Sequence, residues 1–360
     1  MNVIVDWWNR RFSDPQLVLL VLVLLAALLV VIFLGDMLAP AIAAVIIAFL
    51  LDGPTGRLRR AGVANTLAVT IVFVVFVAIA FVTFVLFLPL IVEQMTQLVS
   101  LLPSMVARLQ EALLKLPEQY PEMVDQKAIS DLIDGLRAEL LDLGQRAVEF
   151  SVSGLTGLVT LVVYAILVPL MVFFFLKDKR RILHWLGGFL PAKRKLVDQV
   201  WDEAVARTGD YARGKVYEII IVGVVSWAVY TAIGLEFAGL LAVMTGLSVI
   251  VPYIGAAVVT FPVAFVAFFQ WGITSDFFVA VIAYLVLQAL DGNLLAPLLF
   301  SEVVKLHPNA IILAILIFGG IWGFWGVFFA IPLATLAHAV VKAWKDHAEK
   351  LPEEGVSQEV

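Results

Sequence analysis

The chain has 360 residues, 62% of them apolar and 15% charged, with a formal net charge of −5 and a mean hydropathy of +1.02. Residues 17–34, 63–92, 151–176 and 237–275 carry no charge at all. A hydrocarbon layer about 30 Å thick needs roughly 20 apolar helical residues, so the chain reads as an all-α, polytopic integral membrane protein. The absence of cysteine excludes disulfides, thiolate metal sites and cysteine catalysis.

The N-terminus carries Asp6 and Asp14 beside Arg10 and Arg11, and no small-residue cleavage site follows its apolar run. It is expected to be a retained first span and not a signal peptide. Spans are expected at 17–34 and 37–51, split by a turn at Gly35–Asp36, with a third at 65–92 about 42 Å long. Arg57, Arg59 and Arg60 place the 52–64 loop in the cytoplasm by the positive-inside rule, and with it the N-terminus. Residues 1–92 thus hold spans one to three.

Residues 93–150 are acidic, yet Leu98, Leu101, Met105, Leu109, Leu113 and Leu116 recur at helical spacing, as do Ile129, Leu132, Ile133, Leu136, Leu140 and Leu143. They are expected to form extracytoplasmic amphipathic helices, interrupted by Pro103, that pack on each other or on a neighbouring subunit, the alternative being a substrate-receiving vestibule. Span four, 151–176, leads into a basic cytoplasmic loop, 177–215, which carries ten Lys and Arg, from Lys177 to Lys215. Beside membrane spans such a cluster marks topology and touches anionic lipid, and nucleic acid is not expected as a partner.

Residues 216–342 are almost continuously apolar, in runs at 216–235, 237–251, 255–271, 277–290 and 310–340, broken repeatedly by Gly and Pro. Backbone freed at membrane depth is tolerated only inside protein or along a wet cavity, and transporters often place their sites at such breaks. This segment is the expected transport core. Residues 343–360 form a cytoplasmic tail, and the simplest total is eight spans.

Two breaks carry the candidate transport path. One is Gln288 to Pro297, where Asp291, Gly292, Asn293 and Pro297 interrupt an apolar run and Asp291 offers a carboxylate for a proton or cation. The alternative is an interfacial loop in which Asp291 and Asn293 cap helix ends. The other break is Pro252, Tyr253 and Gly255, preceded by Ser248, or else an interfacial aromatic anchor beside a simple loop. Glu218, three residues after Lys215, reads as an i,i+3 ion pair or a proton-relay carboxylate. Glu302 and His338 complete the groups able to couple a proton or cation, although a lone histidine near a span end, as His338 is, is more often interfacial. Gly319, Gly323 and Gly326 form a small-residue face for helix packing. Four scattered histidines make a metal site improbable, no catalytic or nucleotide motif is present, and neither enzyme activity nor a cofactor is expected.

At these motifs the chain resembles the autoinducer-2 exporter family of bacterial permeases. The resemblance rests on three spans before a long polar insert and one after it, then a basic segment leading into Gly214–Lys215. It continues through Val251–Gly255, Gln288–Pro297 and Leu306–Pro308, and ends on Gly319–Gly320, Gly323, Gly326 and Ile331–Leu333. The chain departs from the family pattern at Phe300, where a glycine is common, and at Asp291. The resemblance implies a multi-pass protein of the bacterial inner membrane, a homo-oligomer and specifically a pentamer. It implies export of the signal autoinducer-2 in some members and sodium or lithium/proton antiport in others.

Three functions follow. The first is a secondary or facilitative exporter of a small polar solute, recognised through Gln288, Asn293, Tyr253 and Ser248. The second is a monovalent cation/proton antiporter using Asp291, Glu218 or Glu302. The third is a membrane scaffold with the acidic segment as its interaction surface.

Overall fold

The computed structural model describes residues 15–119, 135, 154–191, 194–300, 307–338 and 340. Helices account for almost all of these, and no strand occurs among them. In chain order they are α1 (Pro15–Arg60), α2 (Asn65–Gln119), α3 (Gly154–Gly187), α4 (Lys195–Ala232), α5 (Ala238–Ser248), α6 (Ile254–Trp271) and α7 (Ser275–Leu290). A π-helical turn, Asp291–Leu295, then joins α7 to the short α8 (Ala296–Phe300), and α9 (Pro308–Phe328) follows. Among the described residues six stretches are long and apolar enough to cross a membrane: Met37–Arg60, Asn65–Met105, Val197–Ala232, Ile254–Trp271, Ser275–Phe300 and Asn309–Phe328. In lipid only a helix satisfies its own backbone along its length, and the apolar runs therefore fold this way.

Several expected boundaries shift. The Gly35–Asp36 turn does not form: α1 runs unbroken for 46 residues, through Pro40 and Pro54. Gly35 serves packing instead, since a Cβ there would lie 2.3 Å from the Trp322 indole nitrogen. The third span and the first amphipathic stripe are one helix, α2, which continues through Pro103 for 55 residues. At 1.5 Å per residue it is about 82 Å long and must project well beyond a hydrocarbon layer. The second stripe, 129–150, lies outside the described residues except Gly135. The basic segment 177–215 is mostly helical, shared between the ends of α3 and α4. The 237–251 run yields only the 11-residue α5, about 16 Å of helix.

The last run is not one straight helix. Trp322 (φ −134°, ψ 16°) and Gly323 (φ 55°, ψ −133°) leave helical geometry. A Cβ at Gly326 would lie 1.8 Å from the Phe318 carbonyl oxygen, and one at Gly319 would lie 2.8 Å from the Val327 side chain. Ile311, Ala314 and Ile315 pack with Ala330 and Ile331 in one core. The chain therefore turns back at 322–323 into an antiparallel helical hairpin. Its first arm, 308–321, covers about 21 Å, short of the hydrocarbon thickness.

Among the described residues four apolar cores hold the helices together. The largest joins α4, α5, α6 and α7 around Tyr230, Leu241, Val263 and Tyr284. A second unites Tyr211 and Phe300 with the hairpin, a third seats Leu20 of α1 on Val197 and Val200, and a fourth packs α1, α2 and α3 around Ala44, Val69 and Val172. Outward faces carry exposed Val, Leu, Ile and Phe, as Phe81, Val82, Phe84 and Val85 do on α2. Such a surface is covered by lipid or by another subunit.

Candidate functional site

Polar residues line one face of α4. Lys215, Glu218, Ser226 and Tyr230 are all buried, and Val222 completes their three- and four-residue spacing. On the facing α7 and its π-turn, Tyr284, Gln288 and Asp291 repeat that spacing. Together they make a polar seam through an apolar bundle.

An ionic cluster closes one end of the seam. The Lys215 ammonium lies 2.5 Å from the Glu218 carboxylate, and both side chains are 4% exposed. Lys215 also donates to the Val249 carbonyl at 2.8 Å, and Asp291 adjoins Glu218 within hydrogen-bonding reach. One ammonium thus faces two carboxyls. The rings of Phe300 and Tyr211 stand 5.1 and 5.8 Å from the ammonium and cover it. Phe300, the departure from the family pattern, also lies against Gly214, where a Cβ would meet its ring at 2.6 Å.

Further along, the Tyr230 hydroxyl meets Thr245 Oγ1 at 3.0 Å, and the Tyr284 hydroxyl donates to the Ala256 carbonyl. Three buried polar atoms on the two facing elements, Ser226 Oγ, Gln288 Nε2 and Asp291 Oδ1, have no hydrogen-bond partner among the described residues, and Glu218 Oε2 has only its ion pair with Lys215. A buried group left in that state costs about 1–3 kcal/mol, more when charged. Three on one seam mark a surface built to meet something polar.

Both sequence breaks border this cluster. At the first, α5 ends and Ile254 N–H donates to the Pro252 carbonyl at 2.7 Å, closing a three-residue turn centred on Tyr253. Tyr253 has φ 64° and ψ −49°, the strained positive-φ form of the γ-turn. Gly255 is required here, because a Cβ would lie 1.8 Å from the Ser248 carbonyl oxygen. The carbonyl that Lys215 captures, Val249, belongs to the backbone freed by this break. At the second break the π-turn begins at Asp291 and aims its carboxyl inward. Single π-turns inside α-helices occur frequently at functional sites.

The structure brings together only part of the expected set. Glu218, Asp291 and Gln288 meet on the seam, and Pro252 and Gly255 shape the turn that presents Val249. Tyr253 is 62% exposed and does not join them. Asn293 is exposed, and its amide donates to the Ala289 carbonyl of its own helix at 2.8 Å. Pro297 is exposed beside it and His338 is exposed on the hairpin's second arm. Glu302 lies outside the described residues. Gly319 and Gly326 lie where the two arms of one hairpin approach closely, while Gly323 has no neighbour within 4 Å and supplies the reversal.

Sequence reasoning left Ser226, Tyr230, Thr245 and Tyr284 out of the candidate set. The signal for Ser226, Tyr230 and Tyr284 was the four-residue spacing from Glu218 and back from Gln288, whereas Thr245, on α5, had none. It also missed Gln94, whose side-chain oxygen accepts from Leu240 N–H at the start of α5, and Gln270, which clamps the α4–α5 turn through Gly234 and Glu236. No group of three or more His, Cys, Asp or Glu among the described residues is arranged to hold a metal ion.

Residues 18–346 match the model of the AI-2E family transporters. The Escherichia coli (strain K12) protein PerM, provisionally named a permease, is 45% identical over 346 residues, covering 96% of this chain and 98% of that one. Two Bacillus subtilis (strain 168) proteins, YueF and YrrI, provisionally named transport proteins, are 27% and 25% identical over 320 and 309 residues. Those alignments cover 87% and 86% of this chain and 85% of each relative.

Proposed function

The chain belongs to the AI-2E transporter family, and from that premise we propose that it is a secondary or facilitative exporter of a small polar metabolite, autoinducer-2 by the family resemblance. The observation that supports this most is the seam, with three unpartnered polar atoms beside a buried ion pair on two facing helices, inside a chain otherwise built for hydrocarbon. A hydroxylated solute donates to the Glu218 and Asp291 carboxyls and accepts from the Gln288 amide, satisfying groups that are costly to leave alone. Lys215 holds the carboxyl pair in place and offsets its charge. The same reading puts the 177–215 segment and both termini in the cytoplasm, the acidic 93–150 segment outside, and the chain in a bacterial inner membrane as a homo-oligomer.

A monovalent cation/proton antiporter is the second reading, favoured by the adjoining Glu218 and Asp291 carboxyls. With one proton or one monovalent cation on that pair, the cluster with Lys215 is neutral. Flux into proteoliposomes separates the readings, with autoinducer-2, Na⁺ and Li⁺ compared in one preparation. Asp291→Asn and Gln288→Ala are expected to depress metabolite flux, while Asn293→Ala leaves it near the parent's. Cation flux exchanged for protons and lost in Glu218→Gln selects the antiporter. Flux of none of the three counts against both readings and favours the scaffold alternative.

A further inference from the structure

Away from the seam, the ends of α1 and α3 enclose an open cavity of about 490 Å³ lined by Asp52, Gly53, Gly56, Arg59, Arg60 and Arg180. Three guanidiniums face one acid, and that acid is already engaged, since Lys179 donates to the Asp52 carboxylate at 2.8 Å. Arg59 stands farther from Asp52, at 3.7 Å. The Arg60 Nε–H donates to the Gly56 carbonyl at 3.3 Å, which fixes the base of its guanidinium on the last turn of α1. The floor is bare, because a Cβ at Gly53 would meet nothing within 4 Å and one at Gly56 only Arg59 at 3.8 Å.

We propose that this cavity binds a phosphate-bearing anion, either the headgroup of an anionic phospholipid or free phosphate. Guanidinium forks match phosphate oxygens two at a time, and here they come from two helices, so the anion is clasped from both sides. The C-terminal end of the α1 dipole opposes an anion, but by no more than about 1 kcal/mol at an exposed site. Three arginines outweigh that. The cavity's position is what a headgroup requires: Arg60 ends the Met37–Arg60 stretch, and exposed Trp185 and Phe189 follow on and just beyond α3, as aromatic side chains do at headgroup level.

The test is native mass spectrometry of the full-length chain in mild detergent, titrated with short-chain phosphatidylglycerol, with phosphatidylcholine as the zwitterionic control. One phosphatidylglycerol is expected to bind in preference to phosphatidylcholine, and about tenfold more weakly to Arg60→Gln/Arg180→Gln. Gly53→Phe fills the open floor without removing charge and is expected to weaken binding as well. Arg207→Gln, outside the cavity and paired with Glu203, is expected to bind as the parent does. Inorganic phosphate that displaces the lipid identifies free phosphate as a ligand, and lipid binding indifferent to it identifies the headgroup. Equal binding of the two lipids, or parental binding by both the double variant and Gly53→Phe, overturns the proposal.

Discussion

Removing the Lys215 ammonium gives the sharpest test of the buried cluster. Lys215→Met keeps the stem and its packing while stranding Glu218 without its counter-charge and Val249 without its donor. Both ionic side chains are only 4% exposed, so little solvent screening softens the change. Breaking a buried pair from one side costs about 3–5 kcal/mol, and an orphaned carbonyl adds about 1–3 kcal/mol. Glu218→Leu should cost less, because Asp291 adjoins the site and stands in as partner to Lys215. In the double variant the Glu218 charge goes with its partner, and what remains is the Val249 carbonyl and one stranded carboxyl, Asp291, in place of two. Lys215→Met/Glu218→Leu should therefore be more stable than Lys215→Met alone, by about 2 kcal/mol or more. Equilibrium unfolding in mixed micelles, run on parent, both singles and the double, measures this coupling. Single losses that add within about 0.5 kcal/mol would refute the reasoning, since independent sites behave in that way.

Gly246→Ala places a Cβ 2.9 Å from the Ile219 carbonyl and 3.0 Å from Gly223 Cα, so α4 and α5 must separate at a cost of about 1–3 kcal/mol. Gly223→Ala, whose nearest neighbours lie at 3.8 Å, should be milder in the same unfolding assay. Tyr253→Gly relieves a positive φ worth about 1–2 kcal/mol and should leave thermal stability equal or higher, whereas the β-branched Tyr253→Val should lower it. Gly326→Ala cannot fit the hairpin, since its Cβ would lie 1.8 Å from the Phe318 carbonyl, and it should lose stability well beyond Gly320→Ala, where nothing lies within 4 Å. Single cysteines at Gln119 and Gln199, in a chain with none of its own, should label from opposite faces of the membrane. Labelling of both from one face would overturn the proposed topology.

Much of the site was legible because charge inside an apolar run has few explanations. Glu218 three residues after Lys215 could hardly bond anything nearer, and the pair forms. Asp291 in a Gly/Asn/Pro break marked freed backbone, and the structure has a π-turn there. Less legible was which side chains a break turns inward. Asn293 follows Asp291 by two residues, which on a helical turn is a different face, and its amide closes on its own helix instead of the seam. The same periodicity, applied backwards from Gln288 and forwards from Glu218, picks out Tyr284, Ser226 and Tyr230.

The glycines show where residue type alone stops discriminating. Gly319 and Gly323 fit the spacing of two helices in close contact, and Gly35–Asp36 fits a turn. Each pattern depends on one unstated quantity, the backbone angle at the glycine. At Gly35 the angle stays helical and the missing side chain makes room for the Trp322 indole. At Gly323 φ is +55°, and the chain reverses so that its own two arms provide the close contact expected of separate helices. These outcomes are linked through Trp322, which sits at the hairpin's turn and presses on Gly35 of α1. A glycine that permits either a turn or a close approach is resolved by what arrives against it. Here the arriving ring lies 287 positions further along the chain, beyond the reach of any local window.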